Sequence, residues 1–238
     1  IGGPAVCRYN ADWLIPFFEE MKKRNVPMDF YSWHCYSSKV EDYIRDTRLH
    51  RALLDRYGYN ECESILNEWN YICGWSGEGW KKSLATELSI KGAAFIAAVA
   101  TACQHEKLDM LMYYDARINS TMNGLFRPGT LEVRKGYYPL KIWGEMLSSD
   151  GECETSCDIP DIYAVSAVKD GASVTMITYY SDEDEALPCT FTVELPGDVL
   201  RTVYLLDSTH DMTACETIAP DCGSFSLTMQ PNTVVVIR

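Results

Sequence analysis

The spacing of hydrophobic residues changes once along this chain, and this change constrains the fold more than any other feature. In residues 1–149, short apolar runs typical of buried strands alternate with stretches of helical spacing. After residue 158, strand-like runs follow one another across turn residues, without a helical pattern. The first pattern predicts a parallel sheet covered by helices, and the second predicts an antiparallel β-sandwich.

The alternation can be assigned to individual elements. In the first part we predict strands at residues 1–5, 28–33, 64–69 and 108–114, and helices at residues 12–24, 40–57, 84–105 and 137–147. The helix predicted at 84–105 is Ala-rich and has almost no polar face, so we expect it to be buried. In the second part we predict strands at residues 162–165, 174–180, 189–195, 202–206, 225–229 and 234–237.

The negative charge of the chain lies in its second part. Residues 1–149 carry 18 basic and 18 acidic side chains, whereas residues 150–238 carry 3 and 16, which accounts for the net charge of −13. This shift predicts two domains, at residues 1–149 and 150–238. The lack of a basic region argues against nucleic acid as a partner. The uncharged, Ala-rich run at residues 92–104 has 13 residues and is too short to cross a bilayer, so we expect no membrane partner.

The ten cysteines divide five and five between the two parts. An odd number in each part fits free thiols better than a disulfide framework, which favours a reducing, cytoplasmic location. Cys153 with Cys157, and Cys215 with Cys222, are the pairs that could instead form a metal site or a local disulfide. A Gly-rich phosphate loop and a His-based metal spacing are both missing from the sequence, so we expect neither a cofactor nor a metal.

A carboxylate at the end of a predicted strand is the strongest functional signal. Glu68 follows the apolar residues of the strand at 64–69, where burial of a carboxylate costs desolvation free energy. Its neighbours are Asn67, Trp69 and Asn70. Amides bind sugar hydroxyls, an indole stacks on a sugar face, and a carboxylate attacks or protonates the anomeric centre, so this stretch is typical of sugar chemistry.

Two further strand ends carry residues of the same kind. His34 and Tyr36 end the second predicted strand and lie on one face of it, and Tyr114 and Asp115 follow the fourth. In a β/α barrel the chemistry occurs at these carboxyl ends. We therefore predict that His34 and Tyr36 hydrogen-bond a nucleophile or a sugar hydroxyl, and that Tyr114 and Asp115 contact the substrate.

Several of these residues also have a purely structural interpretation. Glu68 could form an ion pair with Arg117, and the alternative for Asp115 and Arg117 is a salt bridge that shapes their loop. Trp75 and Trp80 follow Glu68 in a Gly-rich stretch and could either line a binding wall or pack the loop against the sheet. The remaining histidines have no partner pattern, and we predict them at the surface: His50, His105 and His210.

At these residues the chain resembles the C-terminal half of a clan A glycoside hydrolase, most like family 39, which holds β-xylosidases and α-L-iduronidases. Residues 1–5 resemble the fifth barrel strand, residues 29–36 with their His-x-Tyr the sixth, and residues 66–70 the seventh. Residues 123–126 with the following helix resemble the segment after the eighth strand, and residues 231–237 the end of the accessory domain. The resemblance implies an α/β fold, the second half of a (β/α)8 TIM barrel followed by an antiparallel β-sandwich domain.

The resemblance also implies a reaction. Glu68 would be the nucleophile of a retaining enzyme that cleaves β-glycosidic bonds, with His34 and Tyr36 orienting it and binding the sugar. The family's acid/base Glu belongs to an Asn-Glu-Pro motif that does not occur in these 238 residues, so it would lie in an absent N-terminal half. Two other hypotheses stay open, a non-catalytic carbohydrate-binding relative and an endo-acting hydrolase. In each case the predicted partner is a carbohydrate.

A chain that forms only half of a barrel would also tend to self-associate. Its first and last strands would be open edges, and its inner face, with Phe30, Leu66 and Met110, would meet water. Because a barrel of this type closes with eight strands, two copies could approximate closure. We therefore expect the chain alone to be inactive and to self-associate through the open half-barrel, most simply as a dimer.

Overall fold

The structure is a computed structural model that describes residues 1–195, 197, 199–219 and 223–238. The first part contains the strands β1 (Gly2–Val6), β2 (Phe30–Ser37), β3 (Glu63–Tyr71) and β4 (Met110–Tyr113). Its helices are α1 (Ala11–Lys23), α2 (Val40–Arg56), α3 (Gly77–Glu87), α4 (Ile90–Gln104) and α5 (Tyr137–Leu147).

The strands β1 to β4 form one parallel sheet in chain order. Helices connect each of these strands to the next, so the four carboxyl ends lie at the same edge of the sheet. The first helix shows how the sequence sets such a connection. The Asn10 side chain accepts a hydrogen bond from the Asp12 N–H at the start of α1, and Lys22 and Lys23 complement the helix dipole at its end.

The second part is antiparallel. Its strands are β5 (Gly151–Cys153), β6 (Ile162–Lys169), β7 (Ala172–Tyr179), β8 (Cys189–Glu194), β9 (Arg201–Leu206), β10 (Asp211–Ile218), β11 (Ser224–Met229) and β12 (Thr233–Ile237). Six of them form a sheet in the order β10-β9-β12-β7-β6-β5, and β11 pairs with β8. The mixed α/β fold is thus confirmed, although the sequence predicted neither β5 nor β10.

Helix α4 lies between the two parts and joins their cores. Eleven of its 15 residues are buried, among them Phe95 and Ile96. One face packs on α2 and β3, and another packs on β6, β7 and β12 of the six-stranded sheet. A single hydrophobic cluster therefore includes Leu66 from the parallel sheet and Val234 from the antiparallel one. Helix α4 is as buried as its composition predicts.

The single helix predicted at residues 84–105 is wrong. Helix α3 ends at Glu87 and α4 begins at Ile90, with a bend of 80° between them. Ser89 causes the break, because its hydroxyl donates to the Thr86 carbonyl at 2.7 Å and accepts from the Lys91 N–H at 3.2 Å, as an N-cap residue does. By itself, none of the helices in the described residues has the length and apolar composition to cross a membrane. Helices α3 and α4 reach that length and composition only when they are counted together across the bend.

Two further predictions about burial are corrected. His50 is fully buried, not at the surface, and its Nδ1 lies 2.9 Å from the Tyr31 hydroxyl. Burial lowers the pKa of His50 to about 3, so its imidazole is neutral. Leu66, predicted on the inner face, is buried in the core beneath the helices, whereas Phe30 and Met110 are 36% and 45% exposed.

Candidate active site

The predicted polar residues of β2 and β3 meet at the carboxyl edge of the parallel sheet. Glu68 on β3 lies opposite His34 on β2, and Asn70 lies opposite Tyr36. This register follows from the parallel pairing, because adjacent parallel strands end side by side at the same edge of the sheet. His34 and Tyr36 therefore project on one side of the sheet with Glu68 next to them.

A β-bulge at Asn67 sets the direction of Glu68. Trp33 pairs with Leu66 and His34 with Glu68, so Asn67 is an extra residue without a partner on β2. Side chains alternate between the two faces of a regular strand, which would place Leu66 and Trp69 on opposite faces. The bulge lets both pack into the core on the helix side while Glu68 faces the other way.

Glu68 is held by the two side chains predicted to orient it. The Tyr36 hydroxyl donates to Glu68 Oε2 at 2.8 Å, and His34 Nδ1 lies 3.4 Å from the same oxygen. The Glu68 side chain keeps 33% of its surface exposed, so a ligand can reach the carboxylate. The alternative ion pair with Arg117 is not formed, because Arg117 pairs with Asp115.

The electrostatics of the two partners keep them neutral. Burial, followed by the hydrogen bond to Glu68, raises the pKa of Tyr36 far above its usual value, so Tyr36 remains a proton donor in that bond. Burial lowers the pKa of His34, although the charge of Glu68 opposes this shift. A neutral imidazole and a neutral phenol orient a carboxylate without cancelling its charge. This arrangement suits a carboxylate that has to attack an electrophilic carbon.

Asp115 fixes the loop that follows β4. The Arg117 guanidinium donates to Asp115 Oδ2 at 2.7 and 3.1 Å, and the Arg117 N–H donates to Oδ1 at 2.8 Å. Burial opposes ionisation of Asp115, yet these hydrogen bonds hold its pKa below the usual value. The Tyr114 hydroxyl accepts from Arg117 at 3.2 Å, and the Tyr114 ring lies 6.4 Å from the Tyr36 ring. Tyr114 therefore borders the Glu68 site, while Asp115 has the structural role of an ion-paired loop residue.

The prediction that Trp69 and Asn70 contact a sugar is corrected. Both residues are 1% exposed. Trp69 packs edge-to-face on Tyr43 and Tyr113. The Asn70 amide donates to the Tyr114 carbonyl at 2.8 Å and to the Met122 carbonyl at 3.1 Å, so it ties the loop after β4 to β3. Asn67 remains at the site on the bulge, half-buried, and its Oδ1 has no hydrogen-bond partner among the described residues.

The two tryptophans that follow Glu68 occupy different environments. Trp75 is 62% exposed in the loop before α3, whereas Trp80 belongs to α3 and is half-buried. Their rings stack at 5.9 Å between centroids with 16° between planes. Trp75 also lies 5.1 Å from the Tyr36 ring in an edge-to-face arrangement. The aromatic pair thus borders the Glu68 site at the side of β2.

A buried acid that the sequence analysis did not single out lies behind this site. Glu87 is 1% exposed, and neither carboxyl oxygen has a hydrogen-bond partner among the described residues. Burial, and to a lesser degree the charge of Asp115, raises the pKa of Glu87 to about 8. The sequence signal was a lone acid in the otherwise uncharged stretch 83–90, at the end of α3. Its burial makes it a stability determinant and keeps it away from any substrate.

The described residues contain no group of three or more His, Cys, Asp or Glu side chains that could hold a metal ion. Cys153 and Cys157 are both free thiols, as are the seven other cysteines of the described residues. The pair Cys215 and Cys222 is only partly observed, because Cys222 lies outside the described residues.

Sequence comparison finds similarity to known proteins over a short segment. No protein-family model matches the chain. Over 40 residues, which make up 17% of the chain, it is 44% identical to a β-xylosidase of Geobacillus stearothermophilus. The matched segment covers 8% of that protein.

Solved structures match the chain over nearly its whole length. A glucosidase from Croceicoccus marinus covers 99% of the chain with a TM-score of 0.74 and 20% identity, and a GH39 enzyme from Xanthomonas axonopodis pv. citri covers 99% with 0.72 and 11%. This chain shares the fold of part of these glycoside hydrolases. A monomeric β-xylosidase from Caulobacter crescentus CB15 also covers 99%, with a TM-score of 0.68 and 14% identity. The chain spans 59%, 59% and 60% of these three proteins, and the resemblance to glycoside hydrolases is confirmed for the fold.

Proposed function

We propose that this chain carries the nucleophile of a retaining glycoside hydrolase that cleaves β-glycosidic bonds, and that Glu68 is that nucleophile. The supporting observation is the Glu68 carboxylate, partly exposed and held at 2.8 Å by the Tyr36 hydroxyl, at the carboxyl edge of a parallel sheet in a glycoside hydrolase fold. The Glu68 oxygen would form a bond to the anomeric carbon as the glycosidic bond breaks. Water would then release the sugar with retained configuration.

The acid that protonates the leaving group is proposed to come from outside these 238 residues. A retaining enzyme needs a second carboxyl about 5–5.5 Å from the nucleophile. Asp115 is ionised through its pairing with Arg117, and Glu87 is buried away from solvent, so neither suits this role. We infer that the parallel sheet is the second half of a (β/α)8 barrel. Four further β/α units would supply the acid and close the barrel.

The proposed substrate is a β-xyloside or a related β-glycoside. Two relatives support this assignment: one β-xylosidase has local sequence identity to the chain, and a second β-xylosidase has the same fold. A reducing, cytoplasmic location is proposed from the thiols, because the nine described cysteines are all free.

Covalent labelling tests the nucleophile. In the protein with the completed barrel, a 2-deoxy-2-fluoro-β-xyloside with a dinitrophenolate leaving group is expected to label Glu68, because this leaving group departs without protonation. Peptide mass spectrometry locates the labelled residue. Labelling of another carboxylate would remove Glu68 from this role, and a protein that binds xylosides without being labelled would support the non-catalytic alternative.

The isolated 238-residue chain is expected to be inactive on aryl β-xylosides and to self-associate. Strands β1 and β4 are the edges of the parallel sheet. Met110 and Met112, both on β4, are 45% and 42% exposed. Light scattering coupled to size exclusion should give the mass of a dimer. Met112→Lys should shift the chain toward monomer, whereas Leu147→Lys, on the exposed side of α5, should not. A monomer at low micromolar concentration, or hydrolysis by the pure chain, would contradict this expectation.

A further inference from the structure

Trp75 is an exposed aromatic side chain on a well-supported loop. Trp75 is 62% exposed, although the Trp80 ring of helix α3 stacks beneath it. A tryptophan that only packs a loop would bury its ring, because the indole offers one of the largest apolar areas of any side chain. The stacked pair instead supports one indole from below and leaves it accessible.

The backbone of this loop is tied to helix α3. The Cys73 N–H donates to the Ser83 hydroxyl at 3.0 Å, and that hydroxyl donates to the Gly79 carbonyl at 2.8 Å. Gly74 and Gly79 cross so closely that a Cβ on Gly74 would lie 2.9 Å from the Gly79 Cα. A side chain at Gly74 would therefore push the loop away from α3, and glycine allows the close contact that holds the loop in place. Trp75 is held in position before a ligand arrives, which lowers the entropic cost of binding.

The position of Trp75 relative to Glu68 defines what the loop can touch. The Tyr36 side chain contacts both residues, since its hydroxyl lies 2.8 Å from Glu68 Oε2 and its ring centroid lies 5.1 Å from that of Trp75. A sugar attacked by Glu68 has to lie against the carboxylate and the Tyr36 hydroxyl. The step from Tyr36 to Trp75 is comparable in size to one pyranose ring, so Trp75 lies where the next sugar of a chain would be.

We propose that Trp75, supported by Trp80, is a stacking platform for a second pyranose ring, so that the site takes a β-linked disaccharide or a longer chain. The ring is one with equatorial hydroxyls, as in xylose or glucose, because such a ring presents a flat C–H face to the indole. An axial hydroxyl, as in galactose, would interrupt that face. This assignment rests on the proposed function of Glu68 for the place of the first sugar.

The test uses the protein with the completed barrel and Glu68→Gln, so that no substrate is consumed and binding is measured apart from catalysis. Xylobiose and methyl β-xyloside are titrated separately and followed by ligand-observed NMR and calorimetry. Trp75→Ala is expected to weaken xylobiose binding roughly tenfold, because an apolar contact of about one sugar face is lost. Binding of methyl β-xyloside, which does not reach Trp75, should change less than about twofold. Trp75→Phe should restore part of the loss for xylobiose.

Trp13 provides a matched control. It is 47% exposed on α1, and its ring stacks on Phe17 at 5.1 Å instead of on an aromatic residue of the Glu68 site. Trp13→Ala should leave binding of both sugars unchanged. Equal losses for xylobiose and methyl β-xyloside in Trp75→Ala, or no loss for either, would overturn the platform even if labelling assigns Glu68 as nucleophile. Absence of xylobiose binding to the protein with the completed barrel would overturn it as well. If xylobiose binding depends on Trp75 but the fluorosugar does not label Glu68, the stacking role of Trp75 is retained and the proposed reaction is rejected.

Discussion

Replacing Glu68 with glutamine in the protein with the completed barrel is expected to lower the turnover of an activated aryl β-xyloside by at least about 10³-fold. Loss of a catalytic nucleophile can cost up to about 10⁶ in kcat, and the amide oxygen is a far weaker nucleophile than the carboxylate. The amide still accepts the Tyr36 hydrogen bond, so the fold and the sugar affinity should be retained. Steady-state kinetics with a dinitrophenyl substrate would measure the loss.

Two further variants separate the nucleophile from a merely structural acid. Added azide should restore activity to Glu68→Ala, where a small anion can occupy the vacated space, but not to Glu68→Gln. Glu63→Gln is the matched control, because Glu63 is an exposed acid at the other end of the same strand. Its kinetics should match those of the parent. Azide rescue of neither variant, together with a loss smaller than tenfold in Glu68→Gln, would assign the nucleophile to another residue.

Replacing Glu87 with glutamine is expected to have the largest effect on stability, and the effect should depend on pH. Burial raises the pKa of Glu87 from 4.5 to about 8, so between these values the native state holds a proton that the unfolded state has lost. Stability should therefore fall as pH rises through this window, by about 1.4 kcal/mol per pH unit for this group. A glutamine has no such proton to lose.

The measurement is the difference in unfolding free energy between Glu87→Gln and the parent chain, followed by urea denaturation from pH 5 to pH 8. The difference should grow in favour of the variant by on the order of 3 kcal/mol across this range. Glu19→Gln, which changes an exposed acid on α1, should give a difference that does not vary with pH. A pH-independent difference for Glu87→Gln would show that Glu87 finds a partner for its ionised form.

The predicted elements matched the structure wherever burial imposed a clear period. Strands β7 and β12 are mostly or wholly buried and were found within a few residues of their observed bounds. Strand β10 was missed, because six of its eight residues are exposed and it lacks an alternating pattern. The break between α3 and α4 was missed because the apolar residues continue across it. Ser89 was the only local sign of a cap.

The residues of the candidate site were likewise predicted only in part. His34, Tyr36 and Glu68 meet as their strand-end positions predict, because parallel pairing alone brings them to one edge. Trp69 was misplaced because it was assigned to the sugar from its residue type, although the residue next to Glu68 on a strand faces the opposite side, which here is the core. The bulge at Asn67 was missed as well. A bulge adds one residue and reverses the face of every side chain after it, and it leaves no distinctive pattern in the sequence.

The burial of helix α4 between two sheets has a consequence for how this chain could be divided or recombined. One face of the helix depends on the parallel sheet and the other on strands that lie more than fifty residues further along the chain. Truncation after residue 150 would leave the row of small and aromatic residues around Phe95 without a covering layer. The antiparallel part therefore serves as an outer wall for the helices of the parallel sheet, and we expect the two parts to fold as one unit.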